Sequence, residues 1–292
     1  MSNGCVYEDI IVIGYGQIVN GCLGELKRLK PKYNYSLHYI EYEKTDLSVS
    51  IDFCEKEGIE YSQIFDKSEV KEYFLNISKQ TLIISAGNFY IFPEEVVKKK
   101  ELTIINFHSA LLPKYPGRNA QSWAIFNDEK EAGATWHFVT EELDAGKYII
   151  QKACPILEDT KAYELTGRIM DEAYNGFLEI VEGVLLDNYD KIQTVPTDKN
   201  RRIYKGKDIP GEARFTLEDD PKYIYKVLRA TDYGKSDIFP PVCTELDEKT
   251  VRISSYKKII DEEIKSVVID EKTIYIPYDE QYVLRLKYKS ME

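Results

Sequence analysis

The chain has 292 residues and lacks the features that mark metal, membrane or nucleic-acid proteins. Its five cysteines, Cys5, Cys22, Cys54, Cys154 and Cys243, are widely scattered, and no two form a C-x-x-C pair. That spacing excludes the common zinc and redox motifs, so the expectation is buried reduced thiols and no metal. No apolar run reaches membrane-spanning length, and Ile10–Ile13 is too short for the core of a cleavable leader. An excess of positive charge is missing too. Lys and Arg number 39 against 50 Asp and Glu, a formal net charge of −11. Such a balance disfavours a general polyanion-binding surface. A soluble cytoplasmic chain with no membrane partner and no nucleic acid is expected. The dinucleotide fingerprint is also incomplete. Gly14-Tyr15-Gly16 follows a strand at Asp9–Ile13, but Val19 stands where the third glycine belongs, so the motif reads as a tight strand-to-helix turn.

What is present is alternation. Strand patterns at Asp9–Ile13, Ser36–Tyr42, Thr81–Ser85, Leu102–Phe107 and Gly133–Val139 are interleaved with helical ones. The helical patterns lie near Ile51–Glu57, Lys67–Leu75, Asn119–Asn127 and Lys161–Leu186. Short apolar strands separated by helices imply an α/β fold, a Rossmann-like and mostly parallel sheet with covered faces. Val195-Pro196-Thr197 reads as a domain exit, giving one domain over 1–198 and a smaller one over 199–292. In the second, Asp219-Asp220-Pro221 caps a helix that runs to Ala230. Strands near Val251–Ser254, Ile264–Ile269, Thr273–Ile276 and Tyr282–Leu286 make it β-rich.

The chemistry-bearing residues gather at one strand end. Asn106 and His108 are two apart, so on an extended chain both side chains leave one face. They close a buried strand, and open α/β sheets bind ligands at such ends. Leu111-Leu112-Pro113-Lys114-Tyr115-Pro116-Gly117 follows, and Asp144 comes 36 residues after His108, within the loop Thr140–Gly146. An amide, an imidazole and a carboxylate in this order suit transfer of an acyl group to an amine. His137, alone on an apolar strand, reads as a structural residue that holds the Asp144 loop by hydrogen bonding.

The order Asn-x-His, Leu-Leu-Pro, Thr-x-His-x-Val and Asp-x-Gly resembles the folate-dependent formyltransferases over Ile83–Gln151, and more loosely over the first two hundred residues. That family includes glycinamide ribonucleotide and methionyl-tRNA formyltransferases and the enzymes that formylate nucleotide-linked amino sugars. The resemblance implies the formyltransferase fold, with 10-formyltetrahydrofolate as donor, a primary amine as acceptor, and Asn106, His108 and Asp144 as catalytic residues. It implies that the loop after Ala86-Gly87 meets the donor through Tyr90, Ile91 and Phe92, with Val139, Glu141 and Asp144 opposite. Ser109, Tyr115, Arg118 and Asn119 become candidate acceptor contacts. The family serine normally precedes Leu-Leu-Pro directly, whereas Ser109-Ala110 sets it one residue earlier here.

Among acceptors, a UDP- or dTDP-linked deoxy sugar with a 4-amino group is favoured, as for surface glycan or flagellin sugar synthesis. The basic segment Lys199–Lys207, with Arg201 and Arg202, and the 23 tyrosines could hold its nucleotide. A glycinamide ribonucleotide enzyme normally ends near the close of its catalytic domain. A methionyl-tRNA enzyme must grip a large polyanion, which an acidic chain serves poorly. A carrier-bound amino acid as acceptor, and a non-catalytic folate- or nucleotide-binding regulator, remain as further alternatives. The C-terminal strands could supply a homodimer contact.

Overall fold

A computed structural model describes residues 4–42, 48–189, 192 and 202–290 of the chain. Arg201 and the Val195–Thr197 exit lie outside the described residues. The elements run β1 Asp9–Gly14, α1 Gln17–Tyr33, β2 Ser36–Glu41, α2 Val49–Glu57, β3 Glu60–Gln63, α3 Lys67–Leu75, β4 Thr81–Ala86, α4 Glu94–Val97, β5 Leu102–His108, α5 Ala120–Phe126, β6 Glu131–Phe138, β7 Tyr148–Pro155 and α6 Ala162–Leu185. A 3₁₀ turn at Pro210–Ala213 leads into α7 Pro221–Ala230. Then come β8 Cys243–Leu246, β9 Lys249–Ile260, β10 Val268–Asp270, β11 Thr273–Pro277 and β12 Tyr282–Ser290.

Two sheets result. A seven-stranded sheet has the order β3-β2-β1-β4-β5-β6-β7, and a five-stranded one has β10-β11-β12-β9-β8. In the first, β1 pairs parallel with β2 and β4, β2 with β3, and β4 with β5, whereas β6 runs antiparallel to β5. The second sheet is antiparallel throughout. The central strands are continuous apolar runs because helices cover both faces, and β4 is buried at every residue. Local chemistry agrees with the boundaries. Asp66 accepts from the Ser68 and Glu69 amides to start α3, and Asp220, ahead of Pro221, accepts from the Lys222 amide to start α7.

The glycine turn after β1 is structural. Gly14 has φ 138°, and a Cβ there would lie 1.9 Å from the Ala86 carbonyl oxygen of the adjacent strand. Two departures from the sequence expectation have simple causes. The edge strand β3 has no counterpart in the sequence pattern because Glu60-Tyr61-Ser62-Gln63 is largely exposed and carries no apolar signal. The strand expected over Ile264–Ile269 shrinks to β10, where just Val268, Ile269 and Asp270 find partners on β11.

The described residues group into two compact units. Those within Met1–Gly117, Gly133–Cys154 and Arg168–Ile203 form the first, and those within Arg118–Ala132, Pro155–Gly167 and Tyr204–Glu292 form the second. The sequence pattern assigns all of 1–198 to one domain. Instead, two segments of that stretch group with the C-terminal residues. In this second unit Phe126 stacks edge-on against Tyr223 at 5.9 Å, and Lys226 Nζ sits 2.8 Å from Asp128. Asp159 and Glu158 meet Lys258 Nζ at 2.6 and 2.8 Å. That ammonium also lies 5.1–5.4 Å from the ring centres of Tyr225, Tyr278 and Tyr282.

None of the five cysteines is in a disulfide, and all but Cys5 are buried. Burial raises the Cys22 thiol strongly, and burial beside the Glu41 carboxylate pushes Cys54 up to about 12. Ellman's reagent at about pH 8 is therefore expected to spare Cys22 and Cys54 in the native chain and to label both after unfolding. Rapid labelling of either before unfolding would contradict this packing.

Candidate active site

Strand register builds the site. Ser85 of β4 is in register with Asn106 of β5, and Asn106 with His137 of β6, so three polar side chains form one row across the sheet. Ser85 donates its hydroxyl hydrogen to Asn106 Oδ1 at 2.7 Å. Asn106 Nδ2 lies 3.1 Å from His137 Nε2, while His137 Nδ1 lies 2.9 Å from the Phe138 carbonyl oxygen. A carbonyl can only accept, so Nδ1 carries the hydrogen and Nε2 accepts from the Asn106 amide. His137 thus holds Asn106 and also faces the Asp144 loop expected from the sequence, its Nε2 standing 3.7 Å from Asp144 Oδ1.

His108 ends β5 one register step beyond, opposite Thr135. Its Nδ1 is 3.6 Å from Asp144 Oδ2, and its Nε2 donates to the Tyr115 carbonyl at 2.9 Å. Asp144 Oδ2 also accepts from the Gly117 amide at 2.8 Å. His108 and Asp144 are 6% and 8% exposed, so little water reaches the contact between them. Two of the residues that shape this corner, Tyr115 (φ 54°) and Asp144 (φ 50°), hold the left-handed backbone that non-glycine residues seldom adopt. Such conformations persist where the surroundings over-determine them, as at functional sites.

The Leu-Leu-Pro loop is pinned from below by Thr135 of the Thr-x-His-x-Val motif and by Gln151, whose side chain carried no signal in the sequence. Thr135 donates its hydroxyl hydrogen to the Ala110 carbonyl at 2.6 Å and accepts from the Leu112 amide at 3.2 Å. Gln151 Nε2 donates to the Leu112 carbonyl at 2.8 Å and to Thr135 Oγ1 at 3.0 Å. Thr-x-His in the motif therefore serves two tasks, Thr135 fixing the loop and His137 the amide. Gly146 of Asp-x-Gly has an equally plain reason, because a Cβ there would lie 1.6 Å from the Phe138 carbonyl oxygen.

The residues expected on the donor side divide. Tyr90 is buried in an apolar cluster with Phe74 and Ile104, against which Phe92 and Val139 pack. Burial pushes its hydroxyl up to about 12, and among the described residues that hydroxyl has no partner. Its backbone amide donates to Asn88 Oδ1 at 2.9 Å. Ile91 is 62% exposed. Glu141 is exposed and paired with Lys98 at 3.0 Å. Phe89, 45% exposed, lies 6.3 Å from the Tyr15 ring, which leaves apolar surface at the carboxyl ends of β1 and β4. Of the acceptor candidates, Ser109 and Tyr115 belong to the first unit with His108, as does the exposed Arg202. Arg118 and Asn119 belong to the second, where Asn119 caps α5 in a left-handed conformation (φ 57°) and the Arg118 amide donates to the Tyr204 carbonyl at 2.9 Å. Among the described residues no group of three or more His, Cys, Asp or Glu could hold a metal. None of the described helices is long and apolar enough to cross a membrane.

An amide, an imidazole and a carboxylate meeting at the end of an interior strand is the arrangement that formyl transfer needs, and residues 41–181 match the family described as formyl transferase. Residues 41–181 form a formyl transferase domain. Over 162 residues the chain is 38% identical to a methionyl-tRNA formyltransferase of Caldanaerobacter subterraneus subsp. tengcongensis, covering 56% of this chain and 45% of that one. Over 112 residues it is 29% identical to the phosphoribosylglycinamide formyltransferase of Escherichia coli, covering 38% and 52%. The chain spans 7% of the length of a trifunctional purine biosynthetic protein of Drosophila melanogaster, 34% of a chloroplastic phosphoribosylglycinamide formyltransferase of Vigna unguiculata and 25% of a methionyl-tRNA formyltransferase of Azobacteroides pseudotrichonymphae. Solved folds agree over nearly the whole chain. A sugar 3N-formyl transferase, WlaRD, determined with dTDP and 5-N-formyl-THF, has a TM-score of 0.72 at 19% identity, covering 97% of this chain and 98% of that one. An N-formyltransferase from Helicobacter canadensis, in complex with folinic acid and dTDP-3-aminofucose, has a TM-score of 0.72 at 17% identity, covering 96% and 99%. The formyl transferase domain thus carries the formyltransferase fold, with a separate antiparallel β-rich sheet after it.

Proposed function

We propose that this chain is an N-formyltransferase that moves the formyl group of 10-formyltetrahydrofolate to the primary amine of a nucleotide-linked amino sugar. The observation that carries the reading is the convergence of Asn106, His108 and Asp144 at the carboxyl end of β5. When an amine adds to a formyl carbon, negative charge develops on the formyl oxygen and positive charge on the nitrogen. Asn106 has a second amide hydrogen beyond the one given to His137, and that hydrogen is the donor proposed for the oxyanion. His108 holds or passes the proton that the amine must lose, the donor nitrogen would take up a proton as its bond to the formyl carbon breaks, and Asp144 orients the ring and offsets its positive charge.

The residues present fit a folate-type donor. Phe92 and Val139 offer an apolar wall, Ile91 is exposed beside it, and the buried Tyr90 hydroxyl has no partner among the described residues. Folate would supply the activated formyl group; Tyr90, Ile91, Phe92, Val139 and the loop around Glu141 would hold it. Ser109 and Tyr115 are proposed for the acceptor. The nucleotide-sugar reading is supported by the two solved formyltransferases determined with dTDP or a dTDP-amino sugar, whose folds match over almost the whole chain. The sequence match to a methionyl-tRNA formyltransferase favours the runner-up acceptor.

A mass-spectrometric acceptor screen tests the reading. Purified chain and 10-formyltetrahydrofolate are incubated with UDP- and dTDP-linked amino sugars, with glycinamide ribonucleotide and with methionyl-tRNA. The expected result is a formyl mass gain on one nucleotide sugar. A gain on one of the other two alone would keep the chemistry and overturn the acceptor, and no gain on any would overturn the reading.

A further inference from the structure

We propose that Ser85 is a positioning residue that fixes which way the Asn106 amide faces, an inference that rests on the formyl-transfer reading above. Neither the sequence motif nor the proposed triad includes it. Ser85 is 1% exposed on a strand whose other residues are apolar or small, apart from Thr81 at its start. A buried hydroxyl there needs partners, and it has two.

Its bonds form a chain with one sense. Asn88 Nδ2 donates to Ser85 Oγ at 3.2 Å, and Ser85 donates onward to Asn106 Oδ1 at 2.7 Å. Asn106 Nδ2 donates to His137 Nε2, and His137 Nδ1 to the Phe138 carbonyl. Asn88 itself is fixed by the Tyr90 amide, which donates to its Oδ1, and by the Tyr90 carbonyl, which accepts from its Nδ2 at 3.3 Å. Successive bonds of like sense polarise one another. A half-turn of the Asn106 amide would set its oxygen against His137 Nε2, which is an acceptor because the Phe138 carbonyl claims the other ring hydrogen. Ser85 holds the amide from its oxygen side and leaves one N–H for the reacting oxygen. The same chain ties the 88–90 loop, proposed for the donor, to the group that stabilises the oxyanion.

The test separates positioning from packing. Ser85→Ala is expected to lower kcat about tenfold, with both KM values within about twofold of the parent. In an Asn106→Ala background the same change is expected to have no further effect, because the group it positions is gone. Ser85→Thr keeps the hydroxyl and is expected to stay within about threefold of the parent. Losses that multiply in the double variant, or a raised KM in place of a lowered kcat, would overturn the proposal. In ¹H–¹⁵N spectra the Asn106 side-chain amide pair is assigned by its disappearance in Asn106→Ala. It is expected to shift in Ser85→Ala and to stay in place in Ser85→Thr; an unmoved pair in Ser85→Ala overturns the assignment. This readout needs no acceptor, so it stands apart from failure of the acceptor screen.

Discussion

Alanine at position 108 is expected to lower kcat for formyl transfer by about a thousandfold, inside the range of 10² to 10⁴ for a positioned acid–base group. The ring has no substitute nearby. His137 is the other imidazole in the site, and at 2% exposure its Nε2 is taken by the Asn106 amide. The fold should survive, because Asp144 keeps the Gly117 amide and the bond lost is the one from His108 Nε2 to the Tyr115 carbonyl. Losing one such hydrogen bond costs about 0.5–1.5 kcal/mol, or a few degrees in Tm for a chain of this size. Asp144→Asn retains an oxygen for the Gly117 amide while removing the charge, and is expected to lose about a hundredfold. Stopped assays at saturating donor and acceptor, with Tm measured alongside, check both. Parent-level kcat in His108→Ala would move the chemistry elsewhere.

Gly146→Ala is expected to cost at least about 3 kcal/mol of stability, and activity with it. The added Cβ would sit 1.6 Å from the Phe138 carbonyl oxygen and 2.6 Å from its carbon. Both are backbone atoms, so no side-chain rotation relieves the overlap. Relief requires the Asp144 loop to move off the end of β6, where the Phe138 amide donates to the Lys147 carbonyl at 3.0 Å. Asp144 would then leave His108. Gly167→Ala is the matched control. It lies within α6, where an added methyl would meet nothing inside 4 Å, and should gain roughly 0.5–1 kcal/mol from helix propensity. Calorimetric Tm values should therefore move in opposite directions for the two variants. A native-like Tm in Gly146→Ala would contradict the close approach.

The pairing of Asn106 with His108 was legible from a short-range rule, whereas Asp144 and the proposed roles of all three came from the family resemblance. A two-residue strand period puts Asn106 and His108 on one face, and the motif order brings in Asp144. Ser85 and Gln151 were not legible, since each acts across the sheet or on a distant loop, which no local pattern encodes, and Thr135 was visible in Thr-x-His-x-Val without its task. His137 was visible beside Asp144, but its bond with Asn106 was not, because that pairing follows from β6 running antiparallel to β5. The interior strands of the first sheet announced themselves by apolar runs, whereas β3, polar and exposed, could not. Arg118 and Asn119 were placed with the triad by proximity along the chain, yet they group with the second unit.

That grouping bears on how such a chain can be cut and joined. The second unit is visited three times, through 118–132, 155–167 and the stretch from 204 onward. A truncation near 199 would strip Phe126 of Tyr223, Asp128 of Lys226, and Glu158 and Asp159 of Lys258. Grafting the C-terminal third onto another formyl transferase domain would meet the converse problem, since two of the unit's three segments would be foreign. Exchange of parts between relatives is workable here when all three segments travel together.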